Sequence, residues 1–136
     1  MKGTVMSKKI RNILLALCAY VLILFTGCDR MDNELLEYIL SEVETQGYIS
    51  DSDKLIHEIT NVSAAIPNIT SYDYVYENED GELYCVRIQN VQEDEKYCYV
   101  YILTDIEISK YNYEDGDPAY EVTKSKTSAK LEIELE

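Results

Sequence analysis

From Ser71 onward the large residues recur with a period of two. The stretches "SYDYVYENEDGELYCVRIQN", "KYCYVYILT" and "AKLEIELE" each repeat this spacing. Successive side chains of a strand point to opposite faces, so the pattern commits about half of the chain to β structure. Asp80-Gly81, between the first two alternating runs, is a strong signal for a two-residue hairpin turn. "EDGDP", from Glu114 to Pro118, marks another turn before the short run "AYEVT". Together with "IEISKYNY", these runs predict roughly five to six antiparallel strands.

Ahead of them the period is helical. In "DNELLEYILSEVETQG", Leu35, Leu36, Ile39, Leu40 and Val43 form one apolar stripe. Asp32 suits the N-cap, and Gly47 stands where a glycine ends a helix. "SDSDKLIHEIT" repeats the spacing at Leu55, Ile56 and Ile59 after the capping candidates Ser50 to Ser52. It predicts a second, shorter helix, with a strand as the alternative. Pro67 and Asn68 break the chain after it. The expected fold is therefore α+β, with two N-terminal helices packed on one face of the sheet.

The N-terminus has a different logic. Lys2, Lys8, Lys9 and Arg11 precede an unbroken run of 13 apolar or near-apolar residues, Ile13 to Phe25. A spanning helix needs about 20 such residues. A basic region followed by a shorter apolar core is the layout of a secretory signal. Phe25-Thr26-Gly27-Cys28 resembles the lipobox of bacterial lipoproteins, with Phe25 where that family usually has Leu. The resemblance covers about the first 30 residues. It implies cleavage between Gly27 and Cys28 and a diacylglyceryl group on the Cys28 thiol. Asp29 resembles an inner-membrane retention signal of bacteria with two membranes. The expected organisation is a lipoprotein signal peptide over 1–27, a short tether over 28–31 and one α+β domain over 32–136. A plain secreted protein and an uncleaved signal anchor are the alternatives.

Charge agrees with a lipid anchor. The four basic residues named above would leave with the signal, taking the net charge from −14 to near −18. An anionic membrane surface repels such a domain unless acyl chains hold it. Nucleic acid is excluded as a partner, because Lys and Arg must neutralise its phosphates. The expected site is the outer side of a cell membrane, with the domain facing an envelope protein.

The faces of the sheet can be laid out from the turns. With Asp80-Gly81 as the turn, Glu79 meets Glu82, and Tyr76, Tyr74 and Tyr72 meet Cys85, Arg87 and Gln89. Val75 then shares a face with Tyr84, Val86 and Ile88. An odd loop, such as Asn90 to Asp94, adds Cys98, Val100 and Ile102 to that face and Tyr97, Tyr99 and Tyr101 to the other. Leu131, Ile133 and Leu135 complete an aliphatic face for the helices. Tyr72, Tyr74, Tyr76, Tyr97, Tyr99 and Tyr101 would form one tyrosine field, which Tyr111 and Tyr113 could extend. Tyrosine supplies rigid contact area at low entropy cost, so the field is a candidate binding face. It is equally an ordinary half-solvated strand surface.

Cys85 and Cys98 remain after the signal and the lipid have used Cys18 and Cys28. An oxidising compartment favours a bridge between them. The separated register puts them on opposite faces, where none can form, while an even loop would bring them to one face. Both arrangements stay open.

No catalytic group is expected. His57 is the single histidine, and no nucleophile–base pair or phosphate loop accompanies it. Glu114, Asp115 and Asp117 do not have the spacing of a calcium loop, so no metal and no cofactor is expected. Two readings follow. One is a non-catalytic protein-binding module: an adaptor, inhibitor or accessory subunit. The other is a binder of a small ligand or a cell-wall component.

Overall fold

A computed structural model describes residues 30–63, 65, 68–92, 94–114 and 116–135. The lipobox residues Phe25 to Cys28 and Asp29 lie outside the described residues, as do Pro67 and Asp115. One helix, α1 (Asn33–Thr45), is followed by five strands: β1 (Lys54–Val62), β2 (Ile69–Glu77), β3 (Leu83–Gln89), β4 (Tyr97–Tyr111) and β5 (Ala119–Glu134). The strands make one sheet in the order β1-β2-β3-β4-β5. Met31–Asn61 and Thr70–Glu136 form one compact unit, and Arg30 and Val62–Ile69 belong to another.

Helix α1 forms where the stripe requires it. The Asp32 side chain accepts from the Leu35 N–H at 2.8 Å and caps the first turn. At the other end Gly47 takes φ +92°. Its N–H donates to Glu44 O at 2.9 Å, and Tyr48 N–H donates to Val43 O at 3.2 Å. This pair of bonds closes a Schellman cap, which a side chain at position 47 would strain. Leu36, Ile39 and Val43 are buried.

The expected second helix is absent among the described residues, which corrects the two-helix architecture. Its segment is strand β1. The capping candidates serve a turn instead: Asp53 N–H donates to Ser50 O, and Ser50 N–H donates to Asp53 Oδ2. Ile56, Ile59, Thr60 and Val62 are β-branched and favour the extended chain. Pairing along β2 then decides against the short helical spacing.

The β2–β3 register also differs from the expectation, by one residue. Tyr72 pairs with Ile88, Tyr74 with Val86, Val75 with Cys85 and Tyr76 with Tyr84. The hairpin turns through three residues, Glu79 to Gly81, rather than two. Asn78 N–H donates to Glu82 O, and Gly81 N–H donates to Asn78 O. Asn78 Oδ1 accepts from both Asp80 N–H and Glu82 N–H, each at 2.9 Å. Gly81, at φ +82°, supplies the left-handed step of a type I turn with a bulge. A slip of one residue moves a whole side-chain row across the sheet. Tyr72, Tyr74 and Tyr76 therefore join Val86, Ile88, Val100 and Ile102 on the aliphatic face. Contacts from α1 and its lead-in reach that face: Met31 N–H donates to Tyr72 OH, and Tyr38 OH donates to Glu134 O. Tyr76 and Tyr84 stack there with centroids 5.4 Å apart.

Part of the opposite face is closed by the chain itself. Strands β4 and β5, 15 and 16 residues long, absorb the runs expected as separate short strands. Their pairing shifts register between Ile102 and Leu103 and twice more before Ile108. Asp105 takes φ +50° at this break. Such bulges bend a ribbon and increase its twist. Beyond the break, Ile106, Ile108 and Val122 pack against buried Val75, Cys85 and Leu103, with Ile59 of β1 beside them. His57 of β1 meets Tyr120 of β5 with ring centroids 4.1 Å apart, although these strands are the two edges of the sheet. The far half of the hairpin thus folds over the face opposite α1.

Candidate functional site

The near half of that second face stays open, and β4 places Tyr97, Tyr99 and Tyr101 on it. One rung crosses four strands: Asp73 pairs with Arg87, Arg87 with Tyr101, and Tyr101 with Lys130. Tyr99 pairs with Glu132 and Tyr97 with Glu134. The Lys130 ammonium lies 4.6 Å from the Tyr99 ring centroid and 5.7 Å from that of Tyr101. Both distances are within reach of a cation–π attraction. Tyr99 OH donates to Glu132 Oε2 at 3.1 Å, and this bond beside a carboxylate raises the phenol above its usual range. Tyr97 and Tyr99 remain 45% and 37% exposed, and Tyr101 is half-buried. Tyr99 is thus held by Glu132 and Lys130, and both Tyr97 and Tyr99 keep part of their surface in water.

On the same rung, beside the row, lies an ion pair with one partner buried. Arg87 donates from Nε to Asp73 Oδ1 at 2.7 Å and from Nη2 to Asp73 Oδ2 at 2.8 Å. The Asp73 side chain is wholly buried, whereas that of Arg87 is 32% exposed. Hydrogen bonding to Asp73 raises the Arg87 pKa further above its ordinary value. The two-point geometry fixes the guanidinium plane against Asp73 of β2.

The six tyrosines of the expected field do not share a face. Tyr97, Tyr99 and Tyr101 are together on the open side. Tyr72, Tyr74 and Tyr76 are core residues of the other side. Tyr111 and Tyr113 are exposed further along, with Tyr111 OH donating to Glu121 Oε1. Sequence reasoning placed Arg87 on the tyrosine face, though opposite Tyr74 rather than Asp73, and missed Lys130 and Asp73 as members of that face. The alternation of "AKLEIELE" could have found Lys130 once β5 was paired with β4.

Cys85 and Cys98 are free, buried thiols. Cys85 packs with Val75 and Leu103 on the second face. Cys98 pairs with Ile133, beside Val100 and Leu131, on the first. Burial, with the nearby Asp73 charge, pushes the Cys85 thiol far up. Burial pushes Cys98 up to about 12. Both thiols are protonated and inert at neutral pH.

A second concavity, of about 650 Å³, lies between the α1–β1 turn and the β2–β3 hairpin, lined by Tyr48, Asp53, Asn78, Glu82, Tyr84 and Thr104 among others. Tyr84 OH donates to Asp53 Oδ2 at its wall, and burial followed by that bond raises the Tyr84 pKa. His57 is half-buried against Tyr120, and no base–nucleophile arrangement surrounds it among the described residues. Among the same residues no three His, Cys, Asp or Glu side chains converge as metal ligands. No described helix is long and apolar enough to cross a membrane.

The geometry defines a mostly β domain: a five-stranded antiparallel meander with one short capped helix on one face, whose last hairpin covers part of the other. No family model matches the chain, and neither a curated protein nor a solved structure is significantly similar to it.

Proposed function

We propose that the protein is an extracytoplasmic lipoprotein, held to a cell membrane by lipid on Cys28. Its domain is a non-catalytic protein-binding module: an adaptor, inhibitor or accessory subunit. The anchor rests on the sequence of residues 1–28. The binding role rests on one observation. Tyr97 and Tyr99 are exposed beside Tyr101 and Lys130, on a face whose other half the protein covers with its own hairpin. Ordered tyrosines flanked by charges are the composition of protein-binding surfaces. Glu132 and Lys130 hold Tyr99 in place before a partner arrives, which lowers the ordering cost of binding.

The test is capture of envelope proteins by the full chain and by its Tyr99→Ser, Tyr101→Ser variant, with unfolding of both followed in parallel. A partner recovered by the parent and lost from an equally stable variant supports the reading. Equal capture by both removes the tyrosine row from function.

The small-ligand reading keeps one support. The concavity beside Asp53 and Tyr84 falls in the size range of ligand sites. Binding of a cell-wall fragment that survives loss of Tyr99 and Tyr101, but not Tyr84→Phe with Asp53→Asn, would favour it.

A further inference from the structure

The two edges of the sheet are built differently. Strand β5 carries Lys124, Lys126 and Lys130 and repeated register shifts. Charged side chains and bulges are the devices by which proteins keep an edge from pairing. Strand β1, "KLIHEITNV", has no proline and no glycine, and Glu58 is the single carboxylate within it. Leu55 and Ile56 are 42% and 39% exposed on it. Among the described residues no strand pairs with its outer side. Alternate residues along this nine-residue strand therefore direct backbone donors and acceptors away from β2, with few defences.

The surroundings of β1 select what can pair there. Asp51 and Asp53 lead into the strand and Glu58 lies within it. Glu77 and Glu79 line a depression with Ser52 and Lys54 at its start. Glu44, Glu58 and Asp53 all act on Tyr76, whose phenol is raised first by burial and then by these charges. Carboxylates thus crowd one end of β1, with Lys54 the one lysine or arginine of the strand among the described residues. A second copy of this chain carries the same net charge of −14, and like charges across an interface are costly.

We propose that β1 is a docking edge that takes an extended, lysine- or arginine-rich segment of a partner protein as a sixth strand. Backbone hydrogen bonds supply the affinity, and the acidic end of the strand supplies the selection for basic residues. The net charge of −14 steers such a segment towards the domain. This edge is a different surface from the tyrosine row and does not depend on it.

The test uses the full chain in detergent and a synthetic peptide matching the nine residues of β1 in length, alternating lysine with valine and threonine. A control peptide carries glutamate in place of lysine. Amide hydrogen exchange is followed strand by strand. With the lysine peptide, exchange along β1 should slow by about tenfold or more, while β5 is unchanged. The protection should fade as salt rises from about 50 to about 300 mM. Ile56→Lys, at an exposed position, should abolish it with the unfolding midpoint unchanged. Glu58→Lys should weaken it through charge alone. Absent protection of β1 at saturating peptide overturns the proposal, as does equal protection of β5 or equal action of the glutamate peptide. A dimer that protects β1 without peptide also overturns it and gives the edge to a second copy.

Discussion

Two rows of tyrosines sit three residues each on neighbouring parts of one sheet and lead different lives. On β2, Tyr72, Tyr74 and Tyr76 are 3–8% exposed, with contacts from α1 and its lead-in around them. On β4, Tyr97 and Tyr99 are 45% and 37% exposed, and their neighbours are Lys130, Glu132 and Glu134. Residue type and spacing are the same in both rows. The difference comes from which face each row occupies, and that is decided by the number of residues in one hairpin turn. Tyrosine tolerates both outcomes, because its ring can fill a core while its hydroxyl finds a partner. The buried row is structural, and the exposed row is free to meet something else.

The largest effect should come from breaking the buried row. Tyr74→Ala should cost about 3–5 kcal/mol, as for other aromatic truncations in cores. Urea unfolding measures it as a lower midpoint. Arg87→Ala comes next, at about 3 kcal/mol, because it strands Asp73 as a buried charge. The low end of the range applies, since Arg87 is itself 32% exposed and water can enter. A loss well under 1 kcal/mol would mean that water reaches Asp73 once Arg87 is gone.

A smaller effect should appear in alkali. The folded pKa of Cys98 is raised to about 12 from 9.0, so the native state holds its proton where the unfolded chain has lost it. The stability this gives is complete below pH 9 and is lost as pH rises through the interval up to about 12. The slope approaches 1.4 kcal/mol per pH unit for one group. Cys85, on the other face, shifts in the same direction. Both thiols should resist iodoacetamide in the folded protein at pH 8 and react together in urea.

Least of all for stability, and most for function, Tyr99→Ser should change unfolding by no more than about 0.5 kcal/mol. A stability loss as large as that of Tyr74→Ala would place the β4 row in the core.

Much of this arrangement is legible in the residues. The period of two gives the strands, Asp32 and Gly47 bracket the helix, and an odd β3–β4 loop places Cys98, Val100 and Ile102 beside Val86 and Ile88. The β2–β3 register is not reached by reading Asp80-Gly81 alone. Asn78 organises the turn through its side chain, and Asn at the first position with Gly at the fourth is the signature of the turn that forms. The segment of β1 is short and apolar in both periods, so only its pairing with β2 separates strand from helix. The fold of the last hairpin over the second face depends on bulges near Asp105, which leave no clear local mark. For the site, the tyrosines are visible in the chain, but the Asp73–Arg87–Tyr101–Lys130 rung exists only once four strands are in register.

The split between the rows can be tested by nitrating tyrosines with tetranitromethane and mapping the products by mass spectrometry, in the purified chain and in the cells that make it. In the purified chain Tyr97 and Tyr99 should be modified and Tyr72, Tyr74 and Tyr76 spared. In cells, Tyr97 and Tyr99 should be protected by the bound partner while exposed Tyr113 still reacts. Modification of the β2 row, or equal modification of Tyr97 and Tyr99 in both settings, would contradict the division between a structural row and a binding one.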